Sequence, residues 1–486
     1  MGIRRYIANS DNTITNAFAS NLSIRGTGSN MGASDILEVF SIYGQTSSSA
    51  GYSTEESKTL INFPISTVIA DRTSGNIPAS GSVNFFLKMY NAIHSSTTPS
   101  KYTLIVAPIS SSWTEGFGLD MDEYKDLGYS NWLSSSSTTK WNTAGGDYLN
   151  IPGGDFLVGN TSSQYFNLGN EDLEVDITAQ MEKWINGSIA SNGFGIFLAS
   201  SMLNDTRSYY TKKFFGRDSE FKLYRPNIEA RWNSQVADER GNFFISSSLL
   251  STENVNTIYL YNYRNGKATN IPSIGQGLVY VKIYETLGGS ASSMPIAGGV
   301  TVANTSVVTG GWFSVGLYTA SFAYTGSSST IYDVWQNGST IFHTGTINTI
   351  TYDASSDAEL PRYVLNIKNA QAKYFQNDKP RFRLFVREKD WNPTIYNIAS
   401  TEIESSIIEK SYYSLVRVQD NFNVIPYGTG SAQHTLLSFD VSGNYFDFDM
   451  SILEKGFMYG LKFAFDIQQN GNIEEQPYIF KFRVEE

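Results

Sequence analysis

Three stretches near the C-terminal end of the chain alternate apolar and polar residues with a period of two. Only an extended strand puts every second side chain on one face. Phe382, Leu384 and Val386 face one way while Arg381, Arg383 and Arg387 face the other. Leu461, Phe463 and Phe465 alternate with Lys462 and Asp466, and Phe480, Phe482 and Val484 with Lys481 and Arg483. Such strands belong to antiparallel sheets with one face packed and one solvated. Composition extends that reading to the whole chain. The 30 Tyr, 30 Phe and 8 Trp amount to 14% aromatic residues, charged residues are only 17%, and 41 glycines punctuate the sequence. Aromatic residues fit pleated layers, and Gly, Ser and Asn fit the turns between them. The fold class is therefore all-β.

Composition also closes several routes. A net charge of -11 sets the chain against neutralising nucleic-acid phosphates. With 0 Cys, disulfides and thiolate metal sites are impossible. The start, Met1-Gly-Ile-Arg-Arg-Tyr6, has no apolar stretch behind its arginines, and no apolar run approaches the ~18 residues of a membrane span. The expectation is no secretory leader and no membrane insertion.

At ~150 residues per domain, 486 residues suggest three domains. The first, 1–233, closes on the strand Asn227 to Trp232, where Ile228 and Ala230 alternate with charged Glu229 and Arg231. Ile177, Met181, Trp184 and Ile185 fall at helical spacing with Gly187 as a stop, which predicts one helix against a sandwich. Polar residues 234–242 read as a linker. The second domain, 234–350, holds Leu278-Val-Tyr-Val-Lys-Ile-Tyr284, a near-continuous apolar run expected to be buried on both faces, and the hairpin signal Asn337-Gly338. Strands about every 10 residues predict an immunoglobulin-like sandwich. The third domain, 351–486, is a β-sandwich in which Thr401-Glu-Ile-Glu404 reads as a capping box opening a short helix with Ile403, Ile407 and Ile408 inward.

The motifs of the first half follow a fixed order. Tyr6 to Ile14 and the loop Gly26-Thr-Gly-Ser-Asn-Met-Gly-Ala-Ser34 precede Leu60-Ile-Asn-Phe-Pro-Ile65 and Val83-Asn-Phe-Phe-Leu-Lys-Met-Tyr90, read as a paired-strand core. Then come Ser112-Trp-Thr-Glu115, Trp141-Asn-Thr-Ala-Gly-Gly146, Leu173-Glu-Val-Asp-Ile-Thr178, Trp184-Ile-Asn-Gly187, Asn192-Gly-Phe-Gly-Ile-Phe-Leu198, Phe214-Phe-Gly-Arg-Asp-Ser-Glu220 and Arg225-Pro-Asn-Ile-Glu-Ala-Arg-Trp232. This succession resembles the DNRLRE-type jelly-roll domain, similar to carbohydrate-binding modules. The resemblance implies a sandwich appended to larger surface or extracellular proteins, and it implies a structural calcium as a candidate. Pro361-Arg-Tyr-Val-Leu-Asn-Ile-Lys368, Arg383-Leu-Phe-Val-Arg-Glu388 and Phe446-Asp-Phe-Asp-Met450 resemble segments of virion structural proteins from contractile-tailed marine cyanophages, as do Met1 to Ile7 and Asn30 to Leu37. That second resemblance implies a place in a virion, with other virion proteins as partners.

Chemistry-bearing residues are few. His94, His343 and His434 stand one per domain beside no nucleophile or ligand motif, and read as surface or turn histidines. Glu115 to Asp126 is the one dense acidic stretch. Asp120, Asp122 and Asp126 are the candidate calcium ligands, because hard cations take several carboxylate oxygens; the spacing is not that of an EF-hand, and the plainer reading is a solvated acidic loop. Asp120 or Asp122 with Glu115 would be a glycosidase pair only at fixed separations that spacing does not set. The glycines of 26–32 match no phosphate-binding pattern. Trp113, Trp132, Trp141, Tyr124, Tyr129 and Tyr148 cluster in long loops, where aromatic rings serve either as a glycan platform or as padding of a core. Trp113 and Trp141 match the scaffold tryptophans of the resemblance. Trp132, Tyr124 and Tyr129 remain as glycan or interface candidates, with Trp132 expected to be exposed.

The leading expectation is a non-enzymatic virion structural protein acting by protein–protein docking at the tail, baseplate, neck or capsid surface. The alternatives are a host-surface adhesin that binds glycan through the N-terminal jelly roll, and a polysaccharide depolymerase.

Overall fold

The computed structural model describes residues 1–42, 55–94, 99–119, 128–146, 155, 157, 159–203, 210–246, 255–289, 294–295, 304–305, 307–351, 362–389, 405–467 and 471–486. The chain is all-β; two α-helices, Ile65–Thr73 and Thr178–Ile185, are the only ones among the described residues. Its strands fall into three groups.

The first group makes two facing sheets. One has four strands in the order Ile3–Ile7, Asn227–Arg231, Asn84–Met89, Leu173–Asp176. The other runs Tyr210–Phe215, Ile36–Ile42, Glu55–Asn62, Phe194–Leu198, Tyr102–Pro108, Ser162–Phe166, with Ser10–Thr15 also paired to Glu55–Asn62. Between them lie Leu37, Val39, Leu104, Val106 and Ile196 from one sheet and Phe85, Leu87, Val175, Ile228 and Ala230 from the other. Each such side chain contributes about 1.5–3 kcal/mol of burial when large. The expected pairing of Leu60–Ile65 with Val83–Tyr90 is corrected. Leu60 and Ile61 belong to the larger sheet and Asn84–Met89 to the smaller, so the two segments meet across the core. After Pro64 the chain turns into the helix Ile65–Thr73, with Ile65 and Val68 inward. The predicted helix is Thr178–Ile185, burying Met181 and Trp184 and stopping before Gly187 at φ +75°.

In the middle group seven strands form one hydrogen-bonded sheet curled over a common core that includes Trp335, Tyr318, Val281 and Ile331. The Asn256 side chain closes the curl. Its Oδ1 accepts from Phe244 N at 2.9 Å and its Nδ2 donates to Phe244 O at 2.8 Å, so the amide stands in for a strand partner. Leu278–Tyr284 is buried on one face only. Val279, Val281 and Ile283 are inside, Tyr280, Lys282 and Tyr284 are half-buried, and Leu278 is exposed. A sheet wrapped around one core has one dry face, which corrects the two-sided expectation. The Asn337-Gly338 hairpin joins Thr330–Asn337 to Thr340–Ile350.

The third group pairs a four-stranded sheet (Tyr363–Ile367, Arg381–Glu388, Gly443–Asp447, Ser438–Asp440) with a six-stranded one centred on Met458–Phe465 and Ser411–Arg417. Phe382, Leu384, Val386, Leu461, Phe463, Phe465, Phe482 and Val484 all point into its core. Residues 405–408 are not helical, and 401–404 lie outside the described residues. The backbone there is held open by other means: Asn444 Oδ1 accepts from Ile408 N at 2.9 Å, and its Nδ2 donates to Ile408 O at 2.7 Å.

The first and third groups are fused. Ile3 and Leu223 join the third group's core. Arg5, Glu229 and Arg231, on the outer face of the four-stranded sheet, are buried under the third group. Arg5 Nε donates to Glu229 Oε2 at 2.7 Å and Arg5 Nη2 to Val424 O at 2.5 Å, while Arg231 Nε donates to Glu229 Oε1 at 2.6 Å. Tyr90, Tyr224 and Phe422 pack edge-to-face across the junction. Gly2 fits here because a Cβ would stand 2.1 Å from Trp232 O and 2.7 Å from His434 O. His434 is thus buried rather than a surface histidine, and burial lowers its pKa to about 4. Residues 234–242 are no free linker: Val236 and Asp238 exchange backbone hydrogen bonds with Phe439, and Gln235 Nε2 donates to Glu409 O and Leu437 O.

Candidate functional site

The loops that carry the tryptophans fold back over the outer face of the larger first-group sheet. That face presents Ile14, Leu60, Ala107, Ile109 and Phe197, and Trp132 and Trp141 close over them as a second, smaller core. Trp132 is only 6% exposed, which corrects the expectation that it stands free. The reason is Lys58. This strand residue points outward, is buried, and donates from Nζ to Gly145 O at 2.6 Å and Gly146 O at 3.2 Å, with the ammonium 5.1 Å from the Trp132 ring centroid. A buried ammonium needs acceptors and a ring face, and the loop supplies both. Gly145 sits at φ +80°, and a Cβ there would come within 2.4 Å of the Trp132 indole. Trp141 Nε1 donates to Asn131 O at 2.8 Å, and half-buried Trp113 donates to Asn192 O at 2.8 Å. The tryptophan motifs are scaffold.

The rim of this cover is different. Asn30 Oδ1 accepts from Gly118 N at 3.0 Å and Gly32 N at 3.3 Å. Gly116 and Gly118 lie so close to Asn30 that a Cβ on either would meet it at 2.1 Å. The alternation Gly116-Phe117-Gly118-Leu119 therefore sends its glycines inward and its large residues out. Phe117 is 61% and Leu119 55% exposed. Half-buried Tyr129 packs edge-on against Phe117 with centroids 5.0 Å apart, and Leu133 is exposed on the same cover. Tyr129 thus sits on the rim where the sequence pointed, whereas Tyr124 and the candidate calcium ligands Asp120, Asp122 and Asp126 lie outside the described residues. Phe117 and Leu119 are not among the residues the sequence motifs single out; the small–large alternation of 116–119 is the signal that marks them.

A charged group backs the rim. Glu115 is clamped by Arg217, with Nε and Nη2 each 3.1 Å from a carboxylate oxygen, and it accepts from Asp11 N at 2.7 Å. Asp11 is fully buried and accepts from Arg217 N at 2.6 Å. Burial, with Glu115 nearby, pushes the Asp11 carboxyl up to about 7, and burial also raises Glu115. Arg217 occupies both oxygens of Glu115, so this carboxylate is built to hold the loop. Among the described residues no group of three His, Asp or Glu side chains is placed to hold a metal ion. His94 is half-buried and His343 exposed, and His434 lies at the junction of the first and third groups.

No family model matches the chain, and no curated protein matches it. Solved structures that match include the adhesin InvE of Yersinia pseudotuberculosis, at 15% sequence identity over 48% of this chain and 55% of that one, with a TM-score of 0.15. The match thus spans about half the length of that adhesin chain.

Proposed function

We propose that the chain is a non-enzymatic docking component of a virion, gripping a neighbouring protein through the Phe117–Leu119 rim of its first sandwich. The observation that carries this reading is the mounting of that rim. Exposed large apolar side chains are costly in water, yet here glycines, Asn30, Lys58 and Arg217 hold them outward in one geometry. Pre-set apolar anchors of this kind suit a protein interface, where ordering costs are met before binding. The fused first and third groups add a stiff base from which to transmit load. The placement in a virion rests on the sequence resemblance described above. Phe117→Ala with Leu119→Ala leaves the fold intact, as both side chains are mostly solvated; such particles are expected to lose the protein at least tenfold on purification. Incorporation at the wild-type level would overturn the assignment of this rim.

A second reading, glycan binding by the same rim, is favoured by the aromatic pair Phe117 and Tyr129, whose rings meet edge-on with centroids 5.0 Å apart on the exposed side of the cover. Exposed aromatic rings can stack on the apolar faces of sugar rings. Retention of the protein on a host glycan array, lost in Phe117→Ala, would select this reading over docking.

A further inference from the structure

The middle group carries an exposed apolar surface of its own. Strand register brings three turns, 272–276, 315–316 and 338–339, to one end of the curled sheet: Tyr261 lies opposite Leu317, Leu278 opposite Gly311, Trp312 opposite Tyr318, and Asn337 opposite Thr340. The small hairpin of Tyr263–Arg264 and Lys267–Ala268 is tied to the same end, because Asn262 N donates to Gly316 O at 2.8 Å and Thr269 N to Asn262 O at 3.0 Å. Its turn, Asn265 at φ 52° and Gly266 at φ 75°, is the left-handed pair a two-residue hairpin wants. On these turns stand Tyr263, Leu278, Phe313, Val315 and Ile341, each between 43% and 60% exposed. Beside them Arg264 and Lys267 are exposed. The carboxylates of this group that lie among the described residues are engaged elsewhere, Asp333 with Arg240 at 2.6 Å and Glu285 with the Tyr324 hydroxyl at 2.6 Å. The third group's face that adjoins Tyr261 and Tyr263 brings Asp440 and Asp447, but these are paired with Arg383 and Arg381, so in a chain of net charge -11 this end stays locally cationic and apolar.

We infer that this end of the middle group docks on an anionic lipid surface by shallow insertion of its turn residues. Charge complementarity selects an anionic partner. A second copy meeting face to face would set Arg264 and Lys267 against their own equivalents. An acidic polysaccharide would leave Leu278, Val315 and Ile341 without contact, since sugars stack on rings. Knobs spread over separate turns, without a shared flat face, suit a soft interface where aliphatic and aromatic side chains sink to the headgroup level while Arg and Lys meet phosphates. The inference does not depend on the docking role of the first-group rim.

Co-sedimentation of the full chain with vesicles tests it. Vesicles containing phosphatidylglycerol are expected to bind the protein at low salt, with binding weakening as salt screens the contact. Vesicles of phosphatidylcholine alone should bind at least tenfold less. Arg264→Glu with Lys267→Glu, and separately Phe313→Ser with Ile341→Ser, should each lower phosphatidylglycerol binding about tenfold, with unchanged circular dichroism showing that both fold. No binding to phosphatidylglycerol vesicles, equal binding to the neutral ones, or binding that survives both double substitutions would overturn the inference. Association with an acidic virion protein that these substitutions abolish, with vesicles ignored, would overturn it in favour of a protein partner.

Discussion

Glu229 concentrates the cost and benefit of this architecture in one residue. Burial by itself would raise its pKa, but Arg5, Lys88 and Arg231 outweigh that and hold it far below the usual carboxylate range. Because the folded value is depressed, its contribution is present above about 4.5, its ordinary value, and is lost only as pH falls through the folded value. Glu229→Ala leaves two buried guanidinium groups without their shared partner and should destabilise the protein by about 3–5 kcal/mol, read as a lower urea midpoint. Gly145 is the comparable residue in the rim's foundation. Gly145→Ala would strain a left-handed backbone and press a methyl into the Trp132 indole, at about 1–3 kcal/mol. A red shift of tryptophan emission, with earlier proteolysis near 128–146, would register the lifted cover; unchanged emission would contradict the role given to Trp132.

At the scale of elements, the segment Ser234–Asn242 is where the three groups meet. Arg240 is paired to buried Asp333 of the middle group, and Glu239 Oε2 accepts from Thr257 N while Asn242 Nδ2 donates to Glu409 of the third. Burial pushes Asp238 up to about 6 and Glu239 up to about 7, with Glu409 and Asp238 adding to the second shift. A carboxyl whose folded pKa is raised holds its proton more tightly in the folded state. Its contribution is therefore complete below about 4.5, the ordinary value for Glu239, and gone once pH has risen through about 7. Glu239→Gln keeps an acceptor for Thr257 and removes the titration. It should raise stability at pH 8 by about 1–2 kcal/mol, and leave it unchanged or lower at pH 4. Thermal melts at the two pH values check this, and a variant that is no more stable at pH 8 would refute it.

The whole molecule divides differently from its strand groups. The first and third share a core, a charge network and an aromatic cluster, whereas the middle group is entered and left at one place: Phe243 pairs with Thr349, and Ile245 N donates to Ile350 O at 3.0 Å. It is attached like an insertion. Replacing 243–350 by a short Gly/Ser linker should leave the other two groups melting as one cooperative transition. The isolated segment 1–233, stripped of its cover over Arg5, Glu229 and Arg231, should not give a stable fragment in limited proteolysis. A protease-resistant product ending near 235 would show that the first and third groups fold apart.

Strands, turns and the helix Thr178–Ile185 were legible where local periodicity sets them: Phe382 to Val386, Asn337-Gly338 and Ile177 to Ile185 each specify their own geometry, whereas the helix Ile65–Thr73 follows a strand-like run and carries no such signal. The rim was half legible. Tyr129 reads as an aromatic in a loop, but Trp132 reads as exposed only because a tryptophan among serines gives no sign of Lys58, 74 positions earlier, which holds its loop down. Glu229 and Arg231 followed the same period-two rule as the solvated strands, and the rule was obeyed: they do point away from the first core. Alternation fixes which side a residue faces and cannot say what covers that side. Here another part of the chain covers it, and burial, pKa and the fusion of the outer groups follow from that covering. Only the tertiary structure decided it.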